Sequence, residues 1–179
     1  MAEQDKLLIN QVKQIVDIKL PLVSNLSNAA AVLATIENIN WAGFYLVEGN
    51  SLYLGPFQGE PACTLIQKGK GVCGKAFEEK KTQIVKNVKK FKGHIACSTM
   101  SRSEIVVPII SGGEVKAVID IDAPVINRFD DHDKEILEEI AGFLSNLFSD
   151  GVEKQLKEQE SKDTSPEAAI KKLQEDIDL

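Results

Sequence analysis

Cysteine is scarce in this 179-residue chain: there are three, beside one tryptophan, two tyrosines and two methionines. An odd and small number of thiols, in a chain whose opening MAEQDKLLIN has neither the basic nor the apolar region of an export signal, argues against a secreted disulfide framework. No apolar run approaches the roughly 20 residues of a membrane span, so no membrane partner is expected. Positive charge is also short. Lys and Arg total 21 against 27 Asp and Glu, for a net charge of −6, and no basic patch outweighs the acid. Nucleic acid is therefore not expected as a partner. What remains is a cytoplasmic chain, 43% hydrophobic, with enough apolar content for one core at this length.

The apolar residues that are present repeat with clear periods. LLINQVKQIVDIKL carries helical spacing over 4–20, and a second helix is expected from near Pro21 through SNAAAVLATI. WAGFYLVEGNSLYLGPF predicts a hairpin, with strands 41–47 and 51–55 about a Gly49-Asn50 turn. A short strand over 64–67, a short helix in KAFEEK and a short strand over 82–85 follow. EIVVPII and EVKAVIDID, joined through Ser-Gly-Gly, form a second hairpin. Asp130 is placed as an N-cap with Asp133 three residues on, opening a helix to about residue 148. The order predicts an α+β fold, an antiparallel sheet flanked by N- and C-terminal helices. Residues 1–150 form the single domain, and 151–179, charged and without aromatics, a flexible or short-helical tail.

Four groups of residues bear on chemistry. GKGVCG spells G-x-G-x-x-G, but lies mid-chain with a basic stretch where a dinucleotide site needs an acid. Its glycines are better read as allowing a tight turn or close backbone approach. Cys63, Cys73 and Cys97 all fall in stretches read as glycine-broken loops, with His94 three residues before Cys97. Zinc would want a closer cysteine pair, and buried free cysteines are commonly small hydrophobes. Three loop thiols instead suggest a nucleophile with resolving partners, and His94 and Arg102 would favour a thiolate at Cys97. Asp120 and Asp122 alternate onto one face of their strand, and Glu104 opens the neighbouring strand, so all three converge. Clustered carboxylates in a dry pocket share protons and attract an ammonium group. Trp41 and Tyr45, four apart on one strand, are core residues or an aromatic wall beside a cationic or sulfonium-like group.

WAGFY, LGPFQG, GKGVCG, TQIV, GHIAC, SEIVVPI and VIDID, in this order and spacing, closely resemble the free methionine-(R)-sulfoxide reductases. These are stand-alone GAF-domain enzymes, and the resemblance covers roughly residues 25–148. It implies a GAF-like fold, reduction of free L-methionine-(R)-sulfoxide and no metal. The implied roles are Cys97 as nucleophile and Cys63 as resolving thiol, with the part of Cys73 left open. Glu104, Asp120 and Asp122 become substrate-binding carboxylates, and Trp41 and Tyr45 the aromatic wall. Thiolate attack on sulfur with a carboxyl protonating the oxygen would leave a sulfenic acid, then a disulfide. Thioredoxin is the implied external reductant, with no bound cofactor, and a homodimer is compatible. Two other readings differ in observable ways. A GAF-type ligand or redox sensor should carry an output domain or long coiled coil, and a zinc-stabilised interaction domain should retain metal on purification.

Overall fold

A computed structural model of the chain describes residues 3–93 and 100–149. His94, Cys97 and the 151–179 tail, on which several of these expectations fall, lie outside the described residues. The element order is α1 (Glu3–Ile15), α2 (Leu22–Leu33), β1 (Trp41–Glu48), β2 (Ser51–Gln58), β3 (Leu65–Gln67), α3 (Gly71–Glu79), β4 (Gln83–Val85), β5 (Ser103–Ser111), β6 (Glu114–Ala123) and α4 (Asp131–Leu144). The strands form one antiparallel sheet in the order β3-β2-β1-β6-β5-β4.

Strand alternation divides the sheet's side chains between two cores. On one face Phe44, Ile105, Val107, Ile119 and Ile121 pack against the apolar stripes of α1, α2 and α4. On the other, Trp41, Tyr45, Val106 and Val118 meet α3 through Val72, Cys73, Ala76 and Phe77. The three-helix side is the more extensively apolar; the α3 side is smaller, and polar groups enter it.

Local chemistry sets the element ends. Glu48 pairs with Ser51 across Gly49-Asn50, and Ser111 with Glu114 across Gly112-Gly113. Gly112 and Gly113 have φ of 61° and 82°, as a two-residue hairpin turn requires. The capping box at α4 forms: Asp130 accepts from the His132 and Asp133 amides, and the Asp133 side chain reaches back to the Asp130 amide.

Four boundaries depart from expectation, one being the end of α4, which stops at Leu144, short of residue 148, and passes into a 3₁₀ turn over Ser145–Phe148. Helix α1 stops at Ile15, short of residue 20, because buried Asn25 captures the following turn: its Oδ1 accepts from the Asp17 amide at 2.9 Å and its Nδ2 donates to Asp17 O at 2.8 Å. Strand β2 runs to Gln58, beyond the expected residue 55. A bulge lies where Gly43 pairs with Phe57 but Tyr45 with Leu54, and it absorbs Pro56, which has no amide for the ladder. Helix α3 begins at Gly71, not at residue 75, so Cys73 sits in a helical first turn and not in a loop. The glycines that look like breakers are what let it start there. Gly69 donates to Gly74 O at 2.8 Å, and a Cβ on Gly74 would meet Gln67 O at 2.4 Å.

Candidate functional site

The register of three strands assembles a cluster on the α3 side of the sheet. Asp122 lies opposite Glu104 on β5 and opposite Trp41 on β1; Asp120 lies opposite Val106 and Gly43. Two-residue alternation then puts Trp41, Tyr45, Glu104, Asp120 and Asp122 on one face. Glu104 and Asp120 are each only 6% exposed. Cys73 enters from α3, its Sγ 4.0 Å from Glu104 Oε1.

Burial dominates the electrostatics. Glu104 is held well above the usual carboxylate range by loss of solvent, then by the charges of Asp120 and Asp122. Asp120 is raised likewise by burial and by Asp122, against hydrogen bonds with Cys73 and Glu104 that pull down. Asp122 is pushed up to about 6 by burial, opposed by a hydrogen bond from Ser101. Three carboxyls this close cannot all ionise cheaply, so the cluster resists losing all its protons at once, although Asp122, at about 6, is mostly ionised at neutral pH. The Cys73 thiol is raised too, by burial and then by Asp120 and Glu104. Its place in the first turn of α3 would favour a thiolate, but desolvation and the acids win.

The aromatic wall forms beside this cluster. Trp41 stacks on Tyr45 with centroids 6.1 Å apart, and on Phe57 at 5.3 Å. Gly43, between the two aromatics on the same face, makes room: a Cβ there would lie 2.4 Å from Phe57 Cβ and 2.8 Å from Trp41 Cη2. Both polar tips fasten the loop after β2. Trp41 Nε1 donates to Glu60 O at 3.0 Å, and Tyr45 Oη to Cys63 O at 2.9 Å. The wall therefore also positions Cys63, which is half-buried and disulfide-bonded, whereas Cys73 is free.

Comparison with known proteins agrees with this geometry. The GAF domain model matches residues 28–149. Free methionine-R-sulfoxide reductase of Saccharomyces cerevisiae is 52% identical over 132 residues, covering 69% of this chain and 73% of the yeast protein. The Escherichia coli enzyme of the same name is 42% identical, covering 71% and 78%. A structure of fRMsr of Staphylococcus aureus in complex with substrate superposes with a TM-score of 0.77 at 47% identity, covering 83% of this chain and 98% of that one. The chain belongs to the free methionine-R-sulfoxide reductase family.

As a member of that GAF-domain family, the chain has the expected fold of a six-stranded antiparallel sheet with flanking helices. Among the described residues no helix is long and apolar enough to cross a membrane. Of the eight residues singled out in the sequence, the structure gathers Trp41, Tyr45, Cys73, Glu104, Asp120 and Asp122 into one cluster and ties Cys63 to its edge. Cys97 lies outside the described residues. Two contributors had escaped notice. Phe57 backs Trp41, and its place was obscured by the bulge. Buried Ser101 bonds Asp122 and accepts from Asn40 Nδ2 at 3.3 Å; no periodic signal marks it, since it precedes β5. Where a cation is concerned, Cys73, Glu104 and Asp120 offer donor atoms all within 4.8 Å of one another.

Proposed function

We propose that this chain reduces free L-methionine-(R)-sulfoxide to methionine, the activity named for its yeast and bacterial relatives. The observation that carries the reading is the acidic trio of buried Glu104 and Asp120 and half-buried Asp122, raised above the usual carboxylate range, beside the Trp41–Tyr45 wall. A sulfoxide oxygen leaves only when protonated, and a neutral carboxyl in a dry site is a ready donor. A carboxylate of the same trio pairs with the substrate ammonium. Trp41 and Tyr45 hold the methyl end, which fixes the sulfur epimer that faces the nucleophile.

Cys97 takes the nucleophile's role in this reading. Its thiolate bonds to the sulfoxide sulfur as a carboxyl protonates the oxygen, and the hydroxyl then moves to the cysteine sulfur while the S–S bond breaks, its electron pair returning to the methionine sulfur. Methionine is released and a sulfenic acid remains. The Cys63 thiol then condenses with that acid, expelling water and forming a disulfide. The engagement of Cys63 in a disulfide supports it as the resolving thiol. The raised thiol of Cys73 argues against a nucleophilic role there. Thioredoxin supplies two electrons and two protons to restore the thiols, with no bound cofactor, in the reducing cytoplasm.

The test compares kcat/KM for free L-methionine-(R)-sulfoxide, its (S) epimer, and an N-acetylated, C-amidated analogue, with thioredoxin as reductant. Blocking the amine leaves a buried carboxylate without its cation, which costs several kcal/mol, so the free (R) compound is expected to be favoured at least about a thousandfold. Comparable turnover of the blocked analogue would defeat the assignment of Glu104, Asp120 and Asp122.

A further inference from the structure

Cys73 has no step in this cycle, yet the fold buries it against two carboxyls. It is 3% exposed, and its sulfur with one oxygen each of Glu104 and Asp120 forms a triad within 4.8 Å. One feature of the triad is unresolved by the protein alone. Asp120 Oδ1 is fully buried and has no hydrogen-bond partner among the described residues, although the same carboxyl engages Cys73 and Glu104. Such an atom carries the desolvation penalty of a polar group with nothing offsetting it.

We propose that Cys73, Glu104 and Asp120 form a zinc-binding site, overlapping the ammonium subsite so that Zn²⁺ and substrate exclude each other. The exclusion rests on the functional reading above; the metal site does not. One thiolate and two carboxylates suit a borderline-soft ion with tetrahedral preference, whereas Mg²⁺ and Ca²⁺ demand more, and all-oxygen, ligands. Zinc bond lengths of about 2.3 Å to sulfur and 2.1 Å to oxygen place S and O about 3.6 Å apart in a tetrahedron. The 4.0 Å between Cys73 Sγ and Glu104 Oε1 needs only a small side-chain movement to reach that. Coordination displaces the Cys73 thiol proton and the protons shared by the carboxyls, which pass to solvent. No electron moves. The fourth position is left to water.

The experiment uses the full chain carrying Cys63→Ser and Cys97→Ser, so that Cys73 is the remaining thiol. Titration with Co²⁺ should produce a thiolate-to-cobalt charge-transfer band that saturates at one equivalent and is abolished by Zn²⁺. Adding Cys73→Ser should remove the band. Asp120→Asn, which keeps the thiol and nearly the same shape, should weaken cobalt binding, and far-UV circular dichroism checks that each variant is folded. Absence of the band, or a cobalt affinity indifferent to Asp120→Asn, overturns the site. Calorimetry with free L-methionine-(R)-sulfoxide on the same background tests the overlap. Zn²⁺ at ten times its dissociation constant should weaken substrate binding about elevenfold. Substrate binding unchanged by saturating Zn²⁺ would overturn the exclusion. A normal cobalt band with no substrate binding, metal present or not, would instead defeat the functional reading and leave the metal site standing.

Discussion

Replacing Asp122 by Asn should make the protein more stable as pH rises, relative to the parent, while weakening substrate binding. Asp122 moves from its ordinary value of 3.8 to about 6 on folding. A raised carboxyl contributes stability that is complete below the unfolded value and is lost as pH climbs through the folded one. Two units at 1.36 kcal/mol each amount to about 3 kcal/mol, of which about 1.5 kcal/mol falls between pH 5 and pH 8. Asn keeps an oxygen for the Ser101 hydroxyl but has no charge to desolvate. The difference in unfolding free energy between variant and parent should therefore shift by at least about 1.5 kcal/mol in the variant's favour from pH 5 to pH 8. That figure is a lower bound. Glu104 and Asp120 are raised partly by Asp122, so their own burden eases as well. Urea unfolding of reduced protein at pH 5, 6, 7 and 8 reads the difference directly. A stability difference that is flat with pH, or that moves the other way, would refute the picture of a cluster kept frustrated for its ligand. The expected loss of substrate affinity marks the exchange of stability for function that such sites embody.

Division of labour between thiols separates two variants. Cys97→Ser should abolish even a single turnover, whereas Cys63→Ser should release about one methionine per chain and then stall, because attack precedes resolution; full single-turnover activity in Cys97→Ser would reverse the assignment. Gly43→Ala should cost about 1–3 kcal/mol by overpacking and raise KM, since its Cβ would drive into Phe57 and Trp41; unchanged melting temperature and KM would show that the wall yields easily. Removal of residues 151–179 should leave kcat and melting temperature nearly unchanged, because a charged segment without aromatics buries little; a large loss of either would mean that it docks on the domain.

Periodicity alone was enough for much of the fold. The two hairpins carry their turns in Gly49-Asn50 and Gly112-Gly113, and α4 announces itself through the Asp130–Asp133 capping box, because turn and cap chemistry are local. Alternation in VIDID likewise put Asp120 and Asp122 on one face before any contact was known. The family motifs, too, are legible as spelling. Tertiary structure decided what spelling leaves open. Cys73 reads as a loop thiol between glycines, and only packing of α3 onto the sheet makes it a buried helical residue beside Glu104. Asn25 captures the turn after α1 through Asp17, eight residues away in sequence, and Ser101, just before β5, reaches Asp122 on the neighbouring β6. Above all, the state of the carboxyls is no property of Asp or Glu as such. It arises when β5 and β6 bring three acids together beside the β1 aromatics, where desolvation and mutual repulsion, both set by distance in space, oppose the intrinsic preference to ionise.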